Sequence, residues 1–430
     1  MRNVRSVQVL VLVALTALLV AACGGTTGSS GTKTGGTVKV LATWGGSEQA
    51  SFLAMVKPFE DSTGIKVQYE GTRDLNAVLT TRVTAGNPPD LAGLPGPGQM
   101  ITFAKAGKLI ALDNVVDQTA MKDQYGDSWQ KLVQVNGKQY GIFIKAALKS
   151  LIWYDPKVFS ANHWTVPKTY DELTALAAKI KSSGTAPWCM GVESGAASGW
   201  AATDWLEDLL LRQSGPQKYE DWFNGKLKWS SPEVKQAFQS FGAVVKDTYG
   251  GANTILSTNF GDAGTPMFVT PPKCDMLHQA SFITDFFVKA NPALKPGEDF
   301  NFFAFPTINT QYAGAEEVAG DLFGMFKDTT QARQLMKYLT TPEAQRIWVK
   351  RGGSISPNKQ VATSDYPDKL SQATAQILTS AKITEFDASD LMPDAMANAE
   401  FKGLLDFIGD QSKLDSVLAT LDTAQASAYK

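Results

Sequence analysis

Residues 37–69, TVKVLATWGGSEQASFLAMVKPFEDSTGIKVQY, contain the pattern that decides the fold class. The apolar run 37–43 predicts a strand, and the apolar residues that follow it recur at helical spacing. Ser47 is placed to cap that helix and Gly64 to end it. Residues 65–69 then predict a second strand. This alternation of strand and helix predicts an α/β fold built on a parallel sheet.

The loops after these two strands carry the first candidate site residues. Ligands of parallel α/β sheets bind beyond the carboxyl ends of the strands, where Trp44 and Arg73 stand. We expect Trp44 to stack on a ligand; packing in the core is the alternative. We expect Arg73 to make a polar contact with a ligand; an ion pair on the surface is the alternative. Its neighbour Asp74 is placed to cap a second helix.

The N-terminus predicts export. Residues 1–22 combine basic residues, an apolar run and a small-residue end, which is typical of a signal peptide. Residues 20–23, VAAC, resemble the bacterial lipobox, so we expect Cys23 to carry lipid, palmitate included; a signal peptide that happens to contain a cysteine is the alternative. Residues 23–36 read as a flexible tether. We therefore expect a lipid-anchored protein on the extracytoplasmic face of the cell membrane, periplasmic if a second membrane exists.

Composition narrows the function classes. The formal charge is −2, and it becomes −4 once the two arginines of the signal peptide are lost. This charge does not favour binding to nucleic acid or directly to an anionic bilayer. His163 and His278 lie far apart, which argues against a metal site and a Ser-His-Asp triad. We expect no cofactor, no metal and no enzyme activity. The part of the chain after the tether exceeds the usual size of one hydrophobic core, which predicts two lobes.

Cys189 and Cys274 remain after Cys23 is assigned to lipid. In an oxidising compartment two such thiols predict a disulfide. Two buried thiols that stay reduced are the alternative.

The stretch 188–205, WCMGVESGAASGWAATDW, sets large flat side chains beside small residues and acids. A sugar has weakly apolar faces that suit aromatic rings and a hydroxyl rim that suits fixed polar groups. Trp200, between a glycine and an alanine, is the candidate platform. Asp204 predicts a hydroxyl acceptor, with a helix cap as the alternative. The stretch therefore indicates a carbohydrate site.

Segments that run through the whole body after the tether resemble a known family. Five of them are FLAMVKPFEDSTGIKVQYEGTRDLNAVL (52–79), GNPPDLAGLPGPGQM (86–100), the stretch 188–205, NFGDAGTPMF (259–268) and TPEAQRIWVKRGGSISPN (341–358). The chain resembles the family 1 extracellular solute-binding proteins of ABC importers. The third and fourth segments resemble the alpha-glucoside group within it.

The resemblance implies a two-lobed periplasmic-binding-protein fold of type II, the "Venus flytrap", with hinge crossover strands. It implies an N-terminal lobe of residues 37–148 and 304–353. It implies a C-terminal lobe of residues 149–303 and 354–430.

The resemblance also implies a ligand cleft between the lobes. It assigns the glycine-rich loop of Asp262 to that cleft. Asp321 is a similar candidate, with a turn-capping aspartate as the alternative, and Lys149 interrupts an otherwise apolar crossover strand. The expected function is a monomeric receptor that delivers a di- or oligosaccharide, an alpha-glucoside, to an ABC permease. A secreted lipoprotein glycoside hydrolase is the alternative, because it needs only two suitably spaced carboxylates.

Overall fold

Strand pairing in the computed structural model, which describes residues 33–381 and 383–430, forms two mixed sheets and a short ribbon. The strands, numbered in chain order, are β1 (Thr37–Ala42), β2 (Lys66–Gly71), β3 (Leu91–Leu94), β4 (Gln134–Val135), β5 (Lys138–Gln139), β6 (Gly141–Leu148), β7 (Leu151–Tyr154), β8 (Ala186–Cys189), β9 (Cys274–His278), β10 (Asn301–Ala304), β11 (Ala315–Met325) and β12 (Ile383–Phe386).

Helices connect most of these strands and dominate the C-terminal part. They are α1 (Gly46–Thr63), α2 (Leu75–Thr84), α3 (Pro97–Lys105), α4 (Gln118–Gln124), α5 (Asp127–Leu132), α6 (Pro156–Ala161), α7 (Tyr170–Ser182), α8 (Trp200–Ser214), α9 (Pro216–Phe223), α10 (Pro232–Lys246), α11 (Gly251–Ser257), α12 (Ile283–Ala290), α13 (Thr330–Leu339), α14 (Pro342–Val349), α15 (Lys369–Ser380), α16 (Ala388–Leu391), α17 (Asp394–Gly409) and α18 (Leu414–Ala428).

The first sheet has the order β12-β11-β3-β1-β2, and β6 also pairs with β11. β1 pairs in parallel with both β2 and β3, so the predicted parallel α/β start is confirmed. Gly64 ends α1 in the left-handed conformation (φ 73°), as its position predicts. The Ser47 cap is wrong: α1 begins at Gly46, and the buried Ser47 hydroxyl has no hydrogen-bond partner in the described residues.

The second sheet has the order β10-β7-β9-β8. The chain passes into it from the first sheet through residues 149–150, which separate β6 from β7. The Lys149 amide donates to the Glu317 carbonyl (2.9 Å), and the Glu317 amide donates to the Ser150 hydroxyl (2.8 Å). These bonds hold the crossing segment, residues 149–150, against the start of β11.

β11 is the longest strand and joins distant parts of the chain. It pairs antiparallel with β6 along most of its length, antiparallel with β3 near its end, and in parallel with β12 near its start. The first sheet therefore includes β12, which lies in residues 354–430, the part of the chain that the resemblance gives to the C-terminal lobe. Thr34–Lys430 form one compact unit, and the lobe boundaries stay a prediction. No helix in the described ranges is long and apolar enough to cross a bilayer.

A disulfide joins Cys189 and Cys274, as predicted. The two residues lie on the neighbouring parallel strands β8 and β9, with 5.3 Å between their Cα atoms. Both are buried, so the bond is part of the interior of the second sheet. It closes a loop of 85 residues.

We expect loss of this disulfide to lower the free energy of unfolding by about 4 kcal/mol, because the unfolded chain regains the entropy of the loop. Urea unfolding with and without dithiothreitol measures the change. The double variant Cys189→Ala/Cys274→Ala is the control and should not respond to reductant. An identical midpoint for reduced and oxidised wild type would contradict the prediction.

Candidate functional site

A cavity of about 660 Å³ lies where segments from both sheets meet. Its volume is within the usual range of small-molecule sites. The charged and aromatic residues of its lining are Trp44, Glu48, Arg73, Asp74, Lys145, Lys149, Trp200, Phe260, Phe282, Asp321, Asp387, Asp390, Asp394 and Phe401. Five of the seven predicted ligand residues are therefore brought together here: Trp44, Arg73, Lys149, Trp200 and Asp321.

Glu48, in the first turn of α1, organises the charges on one side of the cavity. It is buried and accepts from Lys145 Nζ and Arg73 Nη2, both at 2.7 Å. Burial raises its pKa, but the attraction of these two cations outweighs that effect and brings the pKa down to about 2. Lys145 Nζ also lies 3.4 Å from Asp321 Oδ2. This network presents fixed polar groups that are already charge-paired.

Trp44 supports this network from inside the core. Its side chain is only 1% exposed, and its ring packs against Phe52 and Trp348, with centroids 5.3 and 5.1 Å away. Its Nε1 donates to Asp321 Oδ2 at 3.1 Å. The stacking role predicted for Trp44 is therefore replaced by core packing, because neighbouring rings cover the indole.

Lys149 is the central charge on the other side of the cavity. Its Nζ lies 2.7 Å from Asp204 Oδ1, 2.8 Å from Asp387 Oδ2 and 4.9 Å from the ring centroid of Trp200. Asp204 is fully buried and does not line the cavity. The prediction that Asp204 accepts ligand hydroxyls is corrected accordingly: it holds Lys149, and Lys149 faces the cavity.

Trp200, the predicted aromatic platform, lines the cavity. It is the first residue of α8, is half-buried, and packs edge-to-face with Phe260 at 4.9 Å. Gly199 before it has φ 108°, and a Cβ there would lie 2.7 Å from the Phe401 carbonyl oxygen. The small residue beside Trp200 therefore allows close packing at the start of the helix.

The glycine-rich loop 259–264 contributes a different residue from the one predicted. Asp262 is exposed and does not line the cavity, so its assignment to the site is corrected. Phe260 of the same loop lines the cavity instead, and the Arg73 guanidinium lies 5.1 Å from its ring centroid. The apolar side chain turns inward and the acid turns to solvent.

Glu48, Lys145 and Asp387 were missed by reasoning from the sequence alone. Lys145 had a usable signal, because like Lys149 it interrupts an apolar run, four residues earlier. Glu48 lies just beyond the end of β1, where a ligand site was expected. Asp387 follows the short strand β12 and has no comparable signal in the sequence.

Asp74 connects the segments that follow β2 and β8. Its side chain makes no hydrogen bond to α2, so the predicted capping interaction is wrong. Instead, Asp74 Oδ1 accepts from the backbone amide of Ala196 at 2.9 Å. This contact spans the two walls of the cavity, one built around Glu48 and Lys145 and the other around Lys149 and Trp200.

The lining suits an uncharged ligand with hydroxyl groups and apolar faces. Three rings, Trp200, Phe260 and Phe282, supply apolar surface, and the paired charges supply donors and acceptors. The lining residues of this cavity include neither histidine nor cysteine.

Comparisons with known proteins agree with this geometry. The model of the family "bacterial extracellular solute-binding protein" matches residues 45–346. The osmoprotective compounds-binding protein GgtB of Synechocystis sp. is 38% identical over 376 residues, which cover 86% of this chain and 88% of that protein. The alpha-glucosides-binding periplasmic protein AglE of Rhizobium meliloti is 36% identical over 394 residues, covering 89% and 85%.

Solved structures share the fold. The bacterial solute receptor AcbH superposes with a TM-score of 0.81 at 20% identity, covering 92% of this chain and 100% of the receptor. A chitin oligosaccharide binding protein superposes with a TM-score of 0.79 at 20% identity, covering 91% and 98%. The match to the family model and the two long alignments lead to one conclusion: this chain belongs to the bacterial extracellular solute-binding proteins, the family that its sequence resembles.

Proposed function

We propose that this protein is the receptor of an ABC importer that binds a di- or oligosaccharide, an alpha-glucoside, and delivers it to a membrane permease. The observation that carries the proposal is the cavity, whose lining combines aromatic rings with charge-paired polar side chains. Buried polar groups that are left unpaired cost free energy, so a wall of fixed donors and acceptors selects a hydroxylated ligand. AglE, at 36% identity, supports the alpha-glucoside class by its own name.

We also propose that binding proceeds by lobe closure. The lobes are those expected from the sequence, residues 37–148 with 304–353 and residues 149–303 with 354–430. A ligand that contacts both walls at once favours the closed form over the open one. The permease then recognises the closed shape.

The same proposal covers location and assembly. Cys23, which lies outside the described residues, would carry the lipid anchor, and the protein would act as a monomer on the extracytoplasmic face. The family match supports this location.

Glycoside hydrolysis, the alternative function, has less support than binding. The family model and the two long alignments all match binding proteins. We therefore propose binding without turnover.

Calorimetry with purified protein tests the ligand class. We expect maltose, trehalose or sucrose to bind with a stoichiometry of one, and cellobiose, a beta-glucoside, to bind at least tenfold more weakly. A parallel assay should detect no release of reducing sugar from trehalose or sucrose. Turnover would favour the hydrolase, and failure of every alpha-glucoside would contradict the proposed ligand class.

Trp200→Ala tests the aromatic platform. We expect it to weaken sugar affinity by about 1.4 kcal/mol, a tenfold rise in Kd, because the ligand loses a ring face. The melting temperature of the unliganded protein should change little. Trp164→Ala is the matched control, since Trp164 is also half-buried but lies outside the cavity lining. Equal affinity for wild type and Trp200→Ala would remove Trp200 from the site.

Asp74→Ala tests closure. We expect a Kd about fivefold higher and faster ligand release, because the closed form loses the hydrogen bond from Ala196. Stopped-flow fluorescence measures release. Asp117→Ala is the control: Asp117 caps its own helix, α4, by accepting from two backbone amides. That change should lower the melting temperature and leave affinity intact. The idea of a closing contact fails if Asp74→Ala behaves like Asp117→Ala.

A further inference from the structure

Three buried carboxylates from distant parts of the chain meet beside Lys149. They belong to Asp204 in α8, Glu317 in β11 and Asp387 just before α16. An oxygen from each lies within 4.8 Å of an oxygen from each of the others. Glu317 and Asp204 are 0% exposed and Asp387 is 2% exposed. We call this group the carboxylate trio.

In its ionised form the trio carries more negative charge than Lys149 offsets. Lys149 binds one oxygen each of Asp204 and Asp387. In the described residues, both carboxylate oxygens of Glu317 and Oδ2 of Asp204 have no hydrogen-bond partner. When all three are ionised, three carboxylates and one ammonium leave two negative charges. Buried charge without a partner is strongly unfavourable, so either protons or a cation must neutralise this group.

We propose that the carboxylate trio binds a divalent cation, Ca²⁺. Its charge equals the deficit that Lys149 leaves. The ligand set consists only of carboxylate oxygens, which suits a hard cation rather than zinc or copper. Calcium accepts several carboxylates in irregular geometry, whereas magnesium retains water and takes one or two. The oxygens that lack partners, on Glu317 and Asp204, are the ones available to it.

The position of the trio gives the cation a structural role. The backbone of Glu317 holds the crossing segment, residues 149–150, through both of its polar groups. Asp387 lines the cavity, which provides a path for the ion to enter. A bound ion would join α8, β11 and the segment before α16 where the chain passes between the sheets. The sequence predicted no metal because that argument counted histidines, and positions 204, 317 and 387 have no recognisable ligand spacing.

The test uses the whole protein after dialysis against EDTA. We expect inductively coupled plasma mass spectrometry to find one Ca²⁺ per chain after re-equilibration with CaCl₂. At a hundredfold excess over Kd, the melting temperature should rise by about 2 to 4 °C relative to KCl of equal ionic strength. MgCl₂ should have a smaller effect. Glu317→Gln, which keeps the shape and removes the charge, should abolish both signals.

Glu400→Gln is the matched control. Glu400 is also fully buried with two oxygens that lack partners in the described residues, but it is not part of the trio. This variant should keep the response to calcium. Wild type that holds no calcium and shows no thermal response would overturn the proposal, and protons alone would then neutralise the trio. That outcome does not depend on whether any variant folds, and sugar binding is not needed for it.

Discussion

The burial of the Lys149 ammonium is the constraint on which the binding architecture depends. A charge taken out of water must keep its partners, so Asp204 and Asp387 have to stay within hydrogen-bonding distance of it. Asp204 lies one helical turn after Trp200 in α8, and the same ammonium lies near the Trp200 ring. An ion pair behind Trp200 therefore helps to fix its ring, together with the packing of Phe260 and Phe282. Side chains that are already fixed lose less entropy when a ligand binds.

The opposite wall repeats this arrangement with different residues. Lys145 is buried between Glu48 and Asp321 and lies 5.1 Å from the ring centroid of Phe282. Lys145 and Lys149 are four residues apart in one nearly continuous extended run, a spacing that directs both side chains to the same side of a strand. One segment thus supplies the central cation of each wall. The two walls share a backbone support, and this support is also where the sheets are joined.

Local patterns in the sequence predicted much of the fold and part of the site. Periodicity and a terminal glycine predicted β1, α1 and β2, because these signals act over a few neighbouring residues. Whether a polar side chain faces the cavity depends on packing between distant segments. Asp204 and Asp262 show this limit: one is buried behind Lys149 and the other faces solvent, although both stand in glycine- and alanine-rich sequence. Trp44 shows it for an aromatic residue, since the rings that cover it come from α1, β11 and α14.

The unusual bonding of Asp74 has a consequence for the energy that holds the two walls of the cavity together. Its carboxylate stands at the start of α2 but accepts from Ala196 instead of the amides of its own helix. If the walls separate, those helix amides become the alternative donors, as at any ordinary helix start. One acceptor then exchanges between two mutually exclusive sets of donors. Part of the enthalpy lost on one side is regained on the other, so the contact with Ala196 favours the joined walls by less than one full hydrogen bond.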